Sequence, residues 1–138
     1  MEWRAVAILT GRLIFALIFI IGMSFKLTNI NVAVSYIVNA GFPQPLLLAW
    51  LAILLEFTLI VCFLTGAYFS EAALLAAAYV LFLAFAFYGP SHWAGNQVDF
   101  FLFINHFAFI AGLLLAAAQG PGRIWAIKRG WIARESVR

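Results

Sequence analysis

LLLAWLAILLEFTLIVCFL, residues 46–64, decides the fold. Coiled at about 1.5 Å per residue, a run this long and this apolar covers the roughly 30 Å hydrocarbon core of a bilayer. Glu56 stands alone near its middle. A charge at that depth costs about 2.5–3.5 kcal/mol on insertion scales, so it has to meet a partner or a polar cavity. Residues 5–24 repeat the pattern with Arg12 as the intruder. The two charges are opposite, and if the two spans pack together the simplest arrangement is a buried Arg12–Glu56 pair.

The rest of the chain agrees with a membrane solvent. Of 138 residues, 67% are hydrophobic and 9% charged, against roughly 25% charged in soluble domains. The net charge of +3 is no nucleic-acid footprint, because five of the eight basic residues follow Pro121. The start, Met1-Glu2-Trp3-Arg4, runs into the first span with no small-residue cleavage site, so that span is expected to be retained. Cys62 is the sole cysteine, which excludes an intrachain disulfide and a Cys-x-x-Cys redox pair and leaves it as apolar filler.

Four spans are expected, at about residues 5–24, 46–65, 71–89 and 99–118. They give an all-α transmembrane bundle over residues 1–122, followed by a basic amphipathic tail, 123–138. Gly41-Phe42-Pro43-Gln44-Pro45 opens the second span, Ser70-Glu71 suits the N-terminus of the third, Gly89-Pro90 stops it, and Asn96 with Asp99 has capping-box spacing for the fourth. Between the first two spans, Val32, Val34, Tyr36, Ile37 and Val38 read as a short interfacial or re-entrant segment. Ala72, Ala73, Ala76 and Ala77, and Gly112 with Ala116, are small enough to let backbones approach. Ile124, Ile127 and Trp131 share one side of a helix in the tail, which suits an anchor lying in the interface.

Basic residues set the orientation. Arg4 precedes the first span and Arg123, Lys128, Arg129, Arg134 and Arg138 follow the fourth, whereas the opposite side holds Lys26. The positive-inside rule places both termini in the cytoplasm of a bacterial-type inner membrane.

The candidate site residues are Arg12, Lys26, Glu56, Asn105 and His106, which depth arithmetic puts along one polar line down the bundle. A structural ion pair and a proton-exchanging or ligand-binding Glu56 are both compatible with that line. His92 lies in a loop and His106 within a span, so they offer neither matched haem ligands nor a metal-ligand cluster, and no metal is expected. The abundant aromatics, fifteen Phe among them, serve as lipid-facing filler and as walls that would suit a flat apolar ligand.

Gly11-Arg12-Leu13 in the first span, Lys26-Leu27 fourteen residues after the arginine, and Ala40-Gly41-Phe42-Pro43 before the second span together resemble the DoxX family. So do the mid-span Glu56 and the Asn105 that precedes Ala111-Gly112-Leu113-Leu114. The resemblance extends from about Arg4 to Ala118. It implies a four-helix membrane bundle associated with quinone-linked oxidoreductases, with Arg12, Lys26, Glu56 and Asn105 as interior polar positions. Where such proteins often carry a lysine before the asparagine of the fourth span, this chain has Ile104, leaving His106 as the nearest basic group.

The function expected is that of a quinone-associated accessory subunit, with quinone as the candidate cofactor, none of its own, and an oxidoreductase as partner. The alternative is a small transport or assembly protein with a polar bundle interior. The bilayer and a second copy of the chain are further candidate partners, and nucleic acid is not.

Overall fold

Each long apolar run forms a helix because a backbone without water must satisfy its own hydrogen bonds. The computed structural model describes residues 2–132. It contains α1 (Trp3–Thr28), α2 (Ile30–Asn39), α3 (Pro45–Thr65), α4 (Phe69–Tyr88) and α5 (Gln97–Gln119), with a 3-10 turn at Pro90–His92. α1, α3, α4 (with the turn that follows it) and α5 are each long and apolar enough to cross a membrane, so the four expected spans are present. α2 is the short segment expected between the first two, and it lies against α3.

The helix ends follow local chemistry. Pro45 occupies the first turn of α3, where its missing N–H has no partner to lose. Gly66, at φ 77°, closes α3 in the left-handed region. The Asn96 side chain accepts a hydrogen bond from the Asp99 N–H at 3.3 Å, the cap expected for α5. The start of α4 differs from expectation: the cap is Tyr68, in the left-handed region at φ 52°, and Ser70 is buried inside the first turn.

Alanines form much of the inner face of α4, and larger apolar residues from the other helices fill the core against them. Ala72, Ala73, Ala76, Ala77 and Ala84 of α4 are buried, and α5 packs most closely here, with Leu113 and Ala117 inward. α1 packs on α3, and Leu59, Ile60 and Phe63 carry α3 into the shared core. Leu17, Leu54, Phe101 and Leu115 are more than half exposed, which makes a lipid-facing surface. α1 and α5 meet through rings: Phe15 and Phe19 lie 5.7 and 5.8 Å from Phe109 between centroids.

The tail differs from the helix that its spacing predicts. Over residues 120–132 it is irregular and folds back across the end of the bundle. Ile127 N–H donates to the Thr65 carbonyl at 2.8 Å, and Tyr68 N–H to that of Arg129. Gly120 and Gly122, at φ 82° and 79°, break the helical path, and Gly122 sits so close to Ile8 that a Cβ there would lie 2.9 Å from its Cγ2. Arg134 and Arg138 lie outside the described residues.

Candidate functional site

The packing of α1 against α3 sets the depth of every ionisable side chain between them. Running antiparallel, the helices bring Arg12 level with Leu64 and Gly22 level with Glu56. α1 continues to Thr28, so Lys26 is still helical and its side chain reaches inward along Gly22. Lys26 Nζ donates to Glu56 Oε1 at 2.8 Å and to the Gly22 carbonyl at 3.4 Å. Tyr79 Oη, from α4, donates to the same carboxylate oxygen at 2.9 Å. Glu56 is 3% exposed, and its Oε2 is buried with no donor among the described residues. Gly22 lies directly against this group: a Cβ there would sit in van der Waals contact with Lys26 Nζ and both carboxylate oxygens at 3.7–3.9 Å.

Above this triad lies a cavity of about 680 Å³. Lys26 and Tyr79 reach its wall, α2 contributes Tyr36 and Ile37, and Phe82 and His106 close it from α4 and α5. The His106 Nδ1 lies 2.6 Å from the Leu102 carbonyl. A carbonyl can only accept, so Nδ1 carries the proton and Nε2 of the neutral ring is left to accept. The ring packs beside Tyr88, 5.1 Å between centroids. The cavity is therefore greasy over most of its wall and polar at a few fixed points, the usual character of a small-molecule site.

Arg12 belongs to a second centre at the other end. It is 1% exposed, and among the described residues no carboxylate is paired with it. Its guanidinium instead donates to four backbone carbonyls: Pro121 at 2.9 Å, Ile124 at 3.3 Å, Trp125 at 2.6 Å and Leu64 at 3.3 Å. Leu64 belongs to the last turn of α3, the negative end of that helix dipole. Glu71 Oε1 completes the closure by accepting from the Trp131 and Ile132 N–H groups.

The DoxX family model matches residues 7–89, which span α1 to α4 and so both halves of the α1–α3 polar frame. The chain belongs to the DoxX family. It is also 30% identical over 125 residues to the inner membrane protein YphA of Escherichia coli (strain K12), with 88% of each chain covered. No solved structure matches it. This DoxX protein is thus an inner-membrane protein by family and by its four apolar helices.

Among the expected site residues of this DoxX chain, Lys26 and Glu56 are joined, and His106 faces the same cavity. Two expectations are corrected. Arg12 does not meet Glu56, because α1 and α3 hold them at different levels and Lys26 is nearer. Asn105 is exposed on α5 and is not an interior residue. The polar line is accordingly two separate centres, divided by the packed rings of Phe15, Phe19 and Phe63. Tyr79 was not among the expected residues. Its signal was a phenol in the middle of an Ala- and Leu-rich span, a group that has to find a partner when buried.

Proposed function

We propose that the cavity above Lys26, Glu56 and Tyr79 binds a flat apolar ligand of the quinone class, and that the protein serves as an accessory subunit of a membrane oxidoreductase system. The observation that carries this reading is a buried polar triad, two of whose members, Lys26 and Tyr79, line a mostly apolar cavity inside a bundle of bilayer-length helices. An ammonium has three donors. Glu56 and the Gly22 carbonyl take two of them, so one is left for a quinone carbonyl. Glu56 fixes both Lys26 and Tyr79 in place, and His106, with its Nδ1 on the Leu102 carbonyl, keeps its Nε2 for a polar atom of the ligand. Electron transfer is the task of a partner, since these side chains bind and orient but hold no electron. The apolar layer of Phe15, Phe19 and Phe63 favours a binding site over a polar route for solute.

The same reading places both termini in the cytoplasm, with Arg4, Arg123, Lys128 and Arg129 at that end, and opens the cavity in the opposite half of the membrane. Reporter fusions after residue 138 and in the loop near Ser91 test the orientation, and a periplasmic signal from the first would reverse it.

Ligand binding is tested by titrating the purified protein with a short-chain quinone and following intrinsic fluorescence and melting temperature. Saturable quenching with a rise in melting temperature is expected, weakened in Lys26→Met and in Phe82→Ala. A wild-type protein that is neither quenched nor stabilised would overturn the proposal.

A further inference from the structure

At the Arg12 end, α1 and α5 diverge and leave a groove of about 540 Å³ between them. Its walls are apolar, with Ile8, Phe15, Phe69 and Ala116 inside, and Trp3 and Leu115 on its margins are 76% and 73% exposed. The groove is therefore reached from the side, where the bilayer is. Its closed end is the Phe15–Phe109 contact.

Charge is arranged at the other end. Arg4 lines the groove itself. Gly122 packs on Ile8, one helical turn from Arg4, and its neighbour Arg123 lines the cavity next to the groove. An adjoining cavity of about 560 Å³ shares Phe69, Gln119 and Gly120 with the groove, and Arg123, Lys128 and Arg129 line it. Among the described residues, the acids at this end are Glu2, at the start of α1, and Glu71, whose Oε1 is engaged by the tail N–H groups. Arg12 adds a second kind of signal. Buried in the groove wall, it satisfies its terminal nitrogens on carbonyls, but its Nε–H has no acceptor among the described residues.

We infer that this groove is a binding site for one anionic phospholipid of the leaflet on the terminal side, with an acyl chain between α1 and α5 and the phosphate at the rim formed by Arg4, Arg123 and the neighbouring cavity. An apolar slot that opens sideways excludes a water-soluble anion as the main occupant, and a cationic rim selects against a zwitterionic headgroup. An oxygen of the headgroup or glycerol ester supplies the acceptor that Arg12 Nε lacks. The site lies at the opposite end of the bundle from the cavity beside Glu56, so either can fail without the other.

The test compares thermal unfolding of the delipidated full-length protein in detergent with added phosphatidylglycerol, phosphatidylcholine or inorganic phosphate, alongside native mass spectrometry to count bound lipid. One retained phosphatidylglycerol is expected, with a rise in melting temperature that phosphatidylcholine and phosphate do not reproduce. Arg4→Gln combined with Arg123→Gln should weaken that binding roughly 30-fold, at about 1 kcal/mol per basic residue near the surface. Ala7→Trp, at an exposed position in the groove, should abolish it while keeping every charge. Leu115→Trp is the second filler, should the first fail to fold. Equal stabilisation by both lipids, an equal effect of phosphate alone, or undiminished binding in a folded filler variant would each overturn the site.

Discussion

Lys26, from the last turns of α1, and Glu56, at the middle of α3, form the ion pair that the sequence would more readily assign to Arg12, with Nζ and Oε1 2.8 Å apart. The pair sets Glu56 beside the cavity that Lys26 and Tyr79 line, whereas Arg12 turns its terminal nitrogens to backbone carbonyls at the other end.

The first prediction follows from that partnership. Lys26→Met leaves a buried carboxylate with only the Tyr79 hydroxyl, and removing one partner of a buried pair costs about 3–5 kcal/mol. Glu56→Leu should cost a similar amount. The double variant should be markedly less damaged than the sum, and unfolding in detergent measures the difference. Additive losses would mean that the pair does not form.

Arg12 and Glu56 should behave in the opposite way. They share no partner, so a cycle of Arg12→Leu and Glu56→Leu should be additive within about 0.5 kcal/mol. A coupling above that would restore the direct pair.

Tyr79→Phe removes one hydrogen bond to a carboxylate, a contact typically worth about 1.5–3 kcal/mol. Combined with Glu56→Leu it should add little, because its acceptor is already gone. A melting temperature unchanged by Tyr79→Phe alone would contradict the geometry of the triad.

Asn105→Leu should leave the stability of the isolated protein within about 0.5 kcal/mol, since the residue is exposed on α5. A loss of several degrees in melting temperature would place this amide in a contact that the single chain does not contain.

Gly122→Ala tests the tail. The position combines φ 79° with a Cβ site 2.9 Å from Ile8, and a residue forced into the left-handed region costs about 1–3 kcal/mol. Gly120→Ala has a similar φ but open space around it, so it should be the milder of the two. Limited proteolysis should free the tail sooner in Gly122→Ala than in Gly120→Ala.

The four spans were legible because hydropathy and length answer to the bilayer alone, and Pro45, Gly66 and Asn96 act through their immediate neighbours. The face of α4 could be read from Ala72, Ala73, Ala76 and Ala77 for the same reason. Pairing was harder, because depth counted from guessed helix ends carries their error. α1 runs to Thr28, beyond the expected end near residue 24, so Lys26 came to lie inside the helix and reached Glu56 first. The partners of Arg12 were hidden for a different reason. They are carbonyls, of Leu64 and of residues 121–125, and a backbone acceptor has no letter in the sequence. The tail misled through its periodicity, which Gly120, Gly122 and the Arg12 contacts override.

Arg12 leaves the ribosome in the first span, but three of the four carbonyls it binds belong to residues 121–125, made after the last. During synthesis the guanidinium therefore waits, already committed to the first helix, with Leu64 the earliest of its acceptors to arrive. The closing contact joins the first span to the segment that follows the last, so a chain without residues 121–125 leaves in the first span a guanidinium that those carbonyls otherwise satisfy.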